Sequence, residues 1–234
     1  MPEPLLLTPN DAGYPIALSV AFGELASPEI WCVGNISILG TKAVGFCGSR
    51  DASDRGRQVA ADCASQLSAV GVTIVSGYAA GVDMASHEAA LAGGGQTIIV
   101  LPEGIDHFRI KKSVIDVWDW NRVLVVSQFQ RNAIWRSYRA MERNNVIVAL
   151  SQAVVVLEAR DKGGTLHAGF AALNMKKPLF VAMYDEMNGD REGNQLLLGS
   201  GGLQLMRSRS TGQAQLRDVF RALGMHDADR RRAV

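Results

Sequence analysis

Ser76 to Leu101 reads SGYAAGVDMASHEAALAGGGQTIIVL: the end of a strand, a glycine-bearing turn, a helix and a second strand. Apolar Val72 to Val75 runs into Ser76-Gly77, and Asp83 is expected to cap a helix whose Ala85, Ala89, Leu91 and Ala92 supply the packed face. Gly93-Gly94-Gly95 stops that helix. The same order recurs upstream, where Ala43 to Cys47 runs into Gly48-Ser49-Arg50 and a helix from about residue 53. Two such turns predict one shared crevice, at the strand ends where an open α/β sheet binds phosphates.

Outward from that stretch, strands are predicted at 43–47, 72–76, 97–101, 123–127, 153–158 and 178–183. Helices are predicted near 53–70, 83–92, 138–150, 165–175 and 211–223. Alternation at these lengths implies parallel strands joined by crossovers, hence an α/β, Rossmann-like, doubly wound and mainly parallel sheet. The predicted division is an irregular lead-in over 1–40 packing on the core, a Rossmann domain over 41–208, and a C-terminal helix and basic tail over 209–234. Pro2, Pro4, Pro9, Pro15 and Pro28 suggest the irregular lead-in, and Arg230-Arg231-Arg232 the frayed tail.

With 234 residues the chain can bury about 70% of its unfolded surface, enough for one large core. Hydrophobic residues at 47% and charged residues at 20% exclude a disordered chain, and the strand-sized apolar runs predict no membrane span. Met1-Pro2-Glu3-Pro4 lacks the basic start of a signal peptide. Cys32, Cys47 and Cys63 are too scattered for a ligand pair and read as small buried thiols, so the expected location is the cytoplasm. His87, His107, His167 and His226 show no metal spacing, so no metal and no cofactor are expected.

A net charge of +1 excludes a uniformly basic nucleic-acid binder and requires any electrostatic footprint to be local. Between His107 and Arg143 the chain carries Arg109, Lys111, Lys112, Arg122, Arg131, Arg136, Arg139 and Arg143 against only Asp116, Asp119 and Glu142. Phe108, Trp118, Trp120, Phe129, Trp135 and Tyr138 interleave with them. Cations for phosphates and flat side chains for unstacked bases suit single-stranded nucleic acid, although a solvated rim over core aromatics gives the same letters.

The series Gly48-Ser49-Arg50, then Ser76 to His87, Thr97 to Leu101 with Gly104-Ile105-Asp106, Arg143-Asn144, and Val155 to Ala159 followed by Gly164-Thr165-Leu166 resembles the DprA/Smf family of DNA-processing proteins. The order and spacing hold over roughly residues 14 to 206. The resemblance implies a DNA- and phosphate-binding site without a catalytic residue, formed by Gly48, Ser49, Arg50, Gly77, Tyr78, Lys111, Arg143, Asn144, Lys162, Gly163, Gly164 and Thr165. Family members often add a small N-terminal helical domain or a C-terminal winged helix, and the length of this chain leads to the expectation of a bare core without either. Arg50 with helix-start amides could hold a phosphate, or a salt bridge could close its loop. Lys162 to Thr165 could cradle an anion, or Thr165 could cap a helix. Arg143 and Asn144 could meet phosphate or tie two helices. Asp83 and His87 read as structural, as does Glu158 unless it orients a ligand. Departures are Asn145 in place of a second arginine, Asp106-His107-Phe108-Arg109 in place of a Tyr-Pro pair, and Tyr78 in place of glycine. Tyr78 needs an altered backbone or offers a stacking surface.

The leading expectation is therefore a non-catalytic, DprA-like protein that binds single-stranded DNA in recombination or uptake. Its expected partners are a RecA-type recombinase and a second copy of itself in a homodimer. A regulatory or antitoxin-like subunit with an operon-encoded toxin-like partner, as in phage defence, is the second reading. A nucleotide-binding enzyme or sensor of the LOG type is the third, but Gly163-Gly164-Thr165 departs from that group's G-G-x-G-T-x-x-E.

Overall fold

The computed structural model describes all residues except 185–186, 188–190 and 226–234. The basic tail and His226 thus lie outside the described residues. The strands are β1 (Leu5–Leu7), β2 (Ile30–Gly34), β3 (Ala43–Gly48), β4 (Thr73–Ser76), β5 (Thr97–Val100), β6 (Val123–Ser127), β7 (Ala153–Leu157), β8 (Leu179–Ala182), β9 (Leu203–Arg207) and β10 (Ala214–Gln215). The helices are α1 (Ile16–Phe22), α2 (Asp54–Ser68), α3 (Val82–Ala92), α4 (Ser137–Leu150), α5 (Gly164–Asn174), α6 (Arg191–Gly199) and α7 (Arg217–Ala222).

All ten strands form one sheet in the order β1-β2-β6-β5-β4-β3-β7-β8-β9-β10. From β6 to β9 every neighbouring pair is parallel, which gives the mainly parallel, doubly wound sheet that the alternation predicts. The central strands are apolar at nearly every position because helices cover both faces: Val154 and Val156 pack toward α1, α4, α5 and α6, while Val155 and Leu157 pack toward α2 and α7. A third cluster lies under α3 and the 3₁₀ turns at Ile105–His107 and Lys112–Val117.

Three parts differ from the sequence reading, the first being α6, which lies where no helix was predicted. The lead-in expected to be irregular contains β1, α1 and β2, and β2 extends the sheet antiparallel to β6, pairing Cys32 with Val126. Its prolines bracket elements instead of breaking them; Pro15, for example, sits immediately before α1, where a missing amide hydrogen costs nothing. The helix expected over 211–223 shortens to α7, because residues 203–215 turn back as the antiparallel pair β9–β10.

The chain runs outward from β3 through β4, β5 and β6, then returns to place β7 on the other side of β3. The sheet order reverses between β3 and β7, so the crevice of a doubly wound fold opens beyond their carboxyl ends. The loops there are Gly48 to Ala52 and Glu158 to Gly163.

Candidate nucleic-acid interface

The β3 loop is fixed by backbone. Ser49 donates its amide to Leu157 O (3.3 Å), and the Val82 amide donates to Ser49 O (3.2 Å). Two glycines make this crossing possible. A Cβ on Gly48 would stand 2.3 Å from Val82 Cγ2, and one on Gly81, whose φ is 74°, would stand 2.2 Å from Ser49 O. Arg50, the next residue, is exposed, and its guanidinium carbon lies 5.8 Å from the ring centroid of Trp135.

Between the two loops is a cleft of about 370 Å³. Nine of the twelve expected residues line it: Gly48, Ser49 and Arg50 from the β3 loop, Arg143 and Asn144 from α4, and Lys162, Gly163, Gly164 and Thr165 from the β7 loop and the start of α5. Gly163, at φ 115°, precedes α5, and no side chain caps this helix, so its first-turn amides are available to an anion. Thr165 does not cap. Asn144 Nδ2 donates to Gly164 O (2.9 Å), which ties α4 to the start of α5. Lys162 is exposed and has no ion pair among the described residues. Arg160, which no sequence motif singled out, also lines the cleft and stands 3.8 Å from Asp51.

The phosphate cradle expected from Arg50 and the amides of its own helix is not available. At the start of α2, Ser53 Oγ accepts from the Gly56 amide (3.0 Å), and the Glu158 carboxylate accepts from the Ser53 amide (2.9 Å) and hydroxyl. Tyr184 donates to the same carboxylate at 2.6 Å. A protein carboxylate takes the place expected for an anion, so the amides at the start of α2 are already engaged. Glu158, 1% exposed and at φ 53°, is a structural acceptor. Glu158→Gln is accordingly expected to cost about 1–3 kcal/mol in denaturant unfolding, because an amide turned toward three donors leaves some unpaired.

A second cavity of about 420 Å³ adjoins the first, and Arg50, Trp135 and Arg143 border both. Tyr78 and Lys111 line it. The Tyr78 ring is not an open platform: Lys111 Nζ sits 4.4 Å from its centroid and donates to Tyr78 O, the Lys111 amide donates to the Tyr78 hydroxyl (3.0 Å), and Phe108 packs at 5.4 Å. Nor does the bulky ring force a left-handed backbone, since Tyr78 is not among the positive-φ residues. Trp118 and Trp120 meet edge to face at 5.1 Å within the third core cluster. Trp135, 47% exposed, borders both cavities, whereas Tyr138, 55% exposed, lines neither.

The basic segment divides in the same way. Arg122 donates to Leu91 O (2.9 Å), Val117 O (3.2 Å) and Asp119 (3.2 Å), and Arg131 pairs with Asp106 (2.8 Å). Arg139 donates to Ile134 O. Arg109 donates to Asp106 O and Phe108 O but still lines the second cavity.

Arg143 lies under the cleft, 5% exposed, and donates to Val100 O (2.7 Å). Asp83 is also buried and accepts from Ser76 Oγ (3.0 Å) and the Ala79 amide (3.2 Å); it sits inside α3, whose N-cap is Gly81, so it is not the cap the sequence suggested. Burial raises the Asp83 pKa and the Arg143 charge pulls it back down; burial lowers Arg143, and Asp83 opposes that. Gly77 separates them: a Cβ there would meet Arg143 Nη1 at 1.9 Å and Asp83 Oδ2 at 2.4 Å. Gly77 thus lies between these two side chains and lines neither cavity. His87 ties the loops as expected. Burial holds its pKa down at about 4, and the neutral ring donates Nε2–H to Gly77 O and accepts Thr97 at Nδ1, each at 2.6 Å.

The family model for DNA recombination-mediator protein A matches residues 5–214, which spans both loops and both cavities. The chain belongs to that family. The resemblance read from the glycine-loop series is thereby borne out. Among members of the family, DNA processing protein DprA of Streptococcus pneumoniae (strain ATCC BAA-255 / R6) is 30% identical over 192 residues, 82% of this chain and 67% of that protein. The X-ray structure of the Streptococcus pneumoniae protein matches with a TM-score of 0.76 at 27% identity, covering 86% of this chain and 70% of that one. A structure of the Helicobacter pylori family member, described by its single-stranded DNA binding mode, matches with a TM-score of 0.73 at 26% identity, covering 87% of this chain and 91% of that one. The chain spans between about 44% and 67% of the length of curated family members that it matches. No helix among the described residues is long and apolar enough to cross a membrane.

Proposed function

We propose that this chain binds single-stranded DNA through the cleft at the β3–β7 switch point and acts, without catalysing a reaction, in DNA processing for recombination or uptake. The observation that carries the reading is the uncapped start of α5, set between Lys162 and Arg50 at the point where the sheet order reverses. An N-terminal amide cluster with flanking cations holds a phosphate without regard to base, and Trp135 on the rim offers a face to an unstacked base. The single-stranded DNA binding described for the Helicobacter pylori relative supports the same reading. The non-catalytic part rests on Glu158, whose carboxylate is engaged by Ser53 and Tyr184 and is not free to act as a base. A homodimer and a recombinase partner belong to this proposal as expectations from the family.

Titration of labelled single- and double-stranded oligonucleotides at several salt concentrations tests it. Arg50, Arg160, Lys162 and Arg109 line the two cavities, and three to four phosphate contacts imply a log–log salt slope of about −2 to −3 for single strands. Arg50→Ala should weaken binding by about 1–3 kcal/mol and make the slope shallower, without changing base preference. A slope near zero, or a folded Arg50→Ala protein with unchanged affinity at fixed salt, would remove the cleft from the interface.

A further inference from the structure

Glu103 follows β5 and lines the second cavity, half-buried. Its backbone is fixed, with its carbonyl accepting from Ser127 Oγ (2.6 Å). Its carboxylate makes no hydrogen bond and no ion pair among the described residues, an unusual condition for an acid partly withdrawn from water. The Glu103 pKa is raised, chiefly by burial, although His107, Arg143 and Lys111 pull it down. Lys111 lines the same cavity and uses one of its three ammonium hydrogens on Tyr78 O. The cavity thus presents an unused acceptor pair and unused donors, and Trp135, 47% exposed and bordering the first cleft as well, supplies its open flat side chain.

We infer that this second cavity is a guanine-reading subsite, in which Glu103 accepts from the N1 and N2 hydrogens of a base while Lys111 donates to its O6. The inference rests on the strand-binding reading of the adjoining cleft and adds base selectivity to it. Unpaired bases are read on their Watson–Crick edges. Guanine alone has two donors side by side on that edge, with an acceptor beside them. Adenine and cytosine each offer that carboxylate one amino group beside a ring acceptor, and thymine one imino hydrogen between two carbonyls, so one carboxylate oxygen would face an acceptor or stay unpaired, and that loss at a half-buried group is what discriminates. The same chemistry could come from a base in the strand or from a free guanine nucleotide; the position beside the α5 amides and Arg50 favours the strand.

The test compares fluorescently labelled oligothymidylates carrying one central dG, dA or dC, at one salt concentration, with wild-type protein and Glu103→Gln. Competition by GMP and AMP forms a second arm. A bidentate pair predicts a preference for dG of about fivefold or more, falling below twofold in Glu103→Gln. Displacement by GMP but not AMP, abolished by Glu103→Gln and without any strand preference, would assign the same guanine subsite to a free nucleotide. Equal affinity for all strands with no GMP effect overturns the inference while leaving strand binding intact. A dG preference of the same size in wild type and Glu103→Gln also overturns it. No binding of any strand defeats the cleft reading itself.

Discussion

Arg143→Ala is expected to lower stability by about 3–5 kcal/mol at neutral pH, the usual result of stranding one charge of a buried pair. Asp83 would keep its Ser76 and Ala79 hydrogen bonds but lose the cation across Gly77. Part of the loss is independent of pH, because Arg143 Nη1 also donates to Val100 O. The rest is not. Burial already raises Asp83 and Arg143 restrains it, so the variant pushes its folded pKa higher still, above the unfolded value of about 3.9. A carboxyl of that kind takes up a proton on folding, so its penalty is full above the folded pKa and fades as pH falls toward the unfolded one. The variant should therefore lose less stability relative to wild type at pH 5 than at pH 7. Denaturant midpoints at the two pH values measure this, and an equal loss at both would show that Asp83 does not depend on Arg143.

Gly81→Ala is expected to cost about 2–5 kcal/mol and to reduce strand affinity in whatever fraction remains folded. The position combines φ 74° with ψ −126°, a conformation that L side chains rarely adopt, and an added Cβ would overlap Ser49 O at 2.2 Å and Arg50 O at 2.6 Å. Neither contact can be relieved by rotating a side chain, because both atoms are backbone. Relief requires moving the β3 loop, and that loop carries Arg50. Urea unfolding and oligonucleotide titration of the folded protein should both register the change. Unchanged affinity in a destabilised variant would show that Arg50 reaches its place independently of the α3 start.

The parallel core was readable because its strands are apolar runs, β3 and β4 ended by glycine, and its helices carry stops such as Gly93-Gly94-Gly95, all local signals. The sequence paired the turn after β3 with the turn after β4 in one crevice, whereas the switch point sets the β3 loop against the β7 loop, because the returning chain places β7 on the other side of β3. The antiparallel edges did not show: β1 has three residues and β10 two, too short for periodicity, and what holds them is pairing to distant strands.

Within the site, sequence determined which residue types were present and tertiary structure decided which of them face the cleft. Arg122 and Arg143 look like Lys162 in a string of letters. Two of them end in carbonyl acceptors within the fold and the third in water, a distinction made by elements tens of residues away, Leu91 for Arg122 and Val100 for Arg143. Trp118 and Trp120 likewise separate from Trp135 only when the third core cluster closes over them. Glu158 shows the limit most plainly. Its place at a strand end was evident, but that it fills the start of α2, and so closes that helix start to any anion, depends on Ser53 and Tyr184 converging from opposite directions along the chain. Glycines and periodicity act between near neighbours and can be read in order; charge, burial and hydrogen bonding act through space and appear only when the sheet has brought its strand ends together.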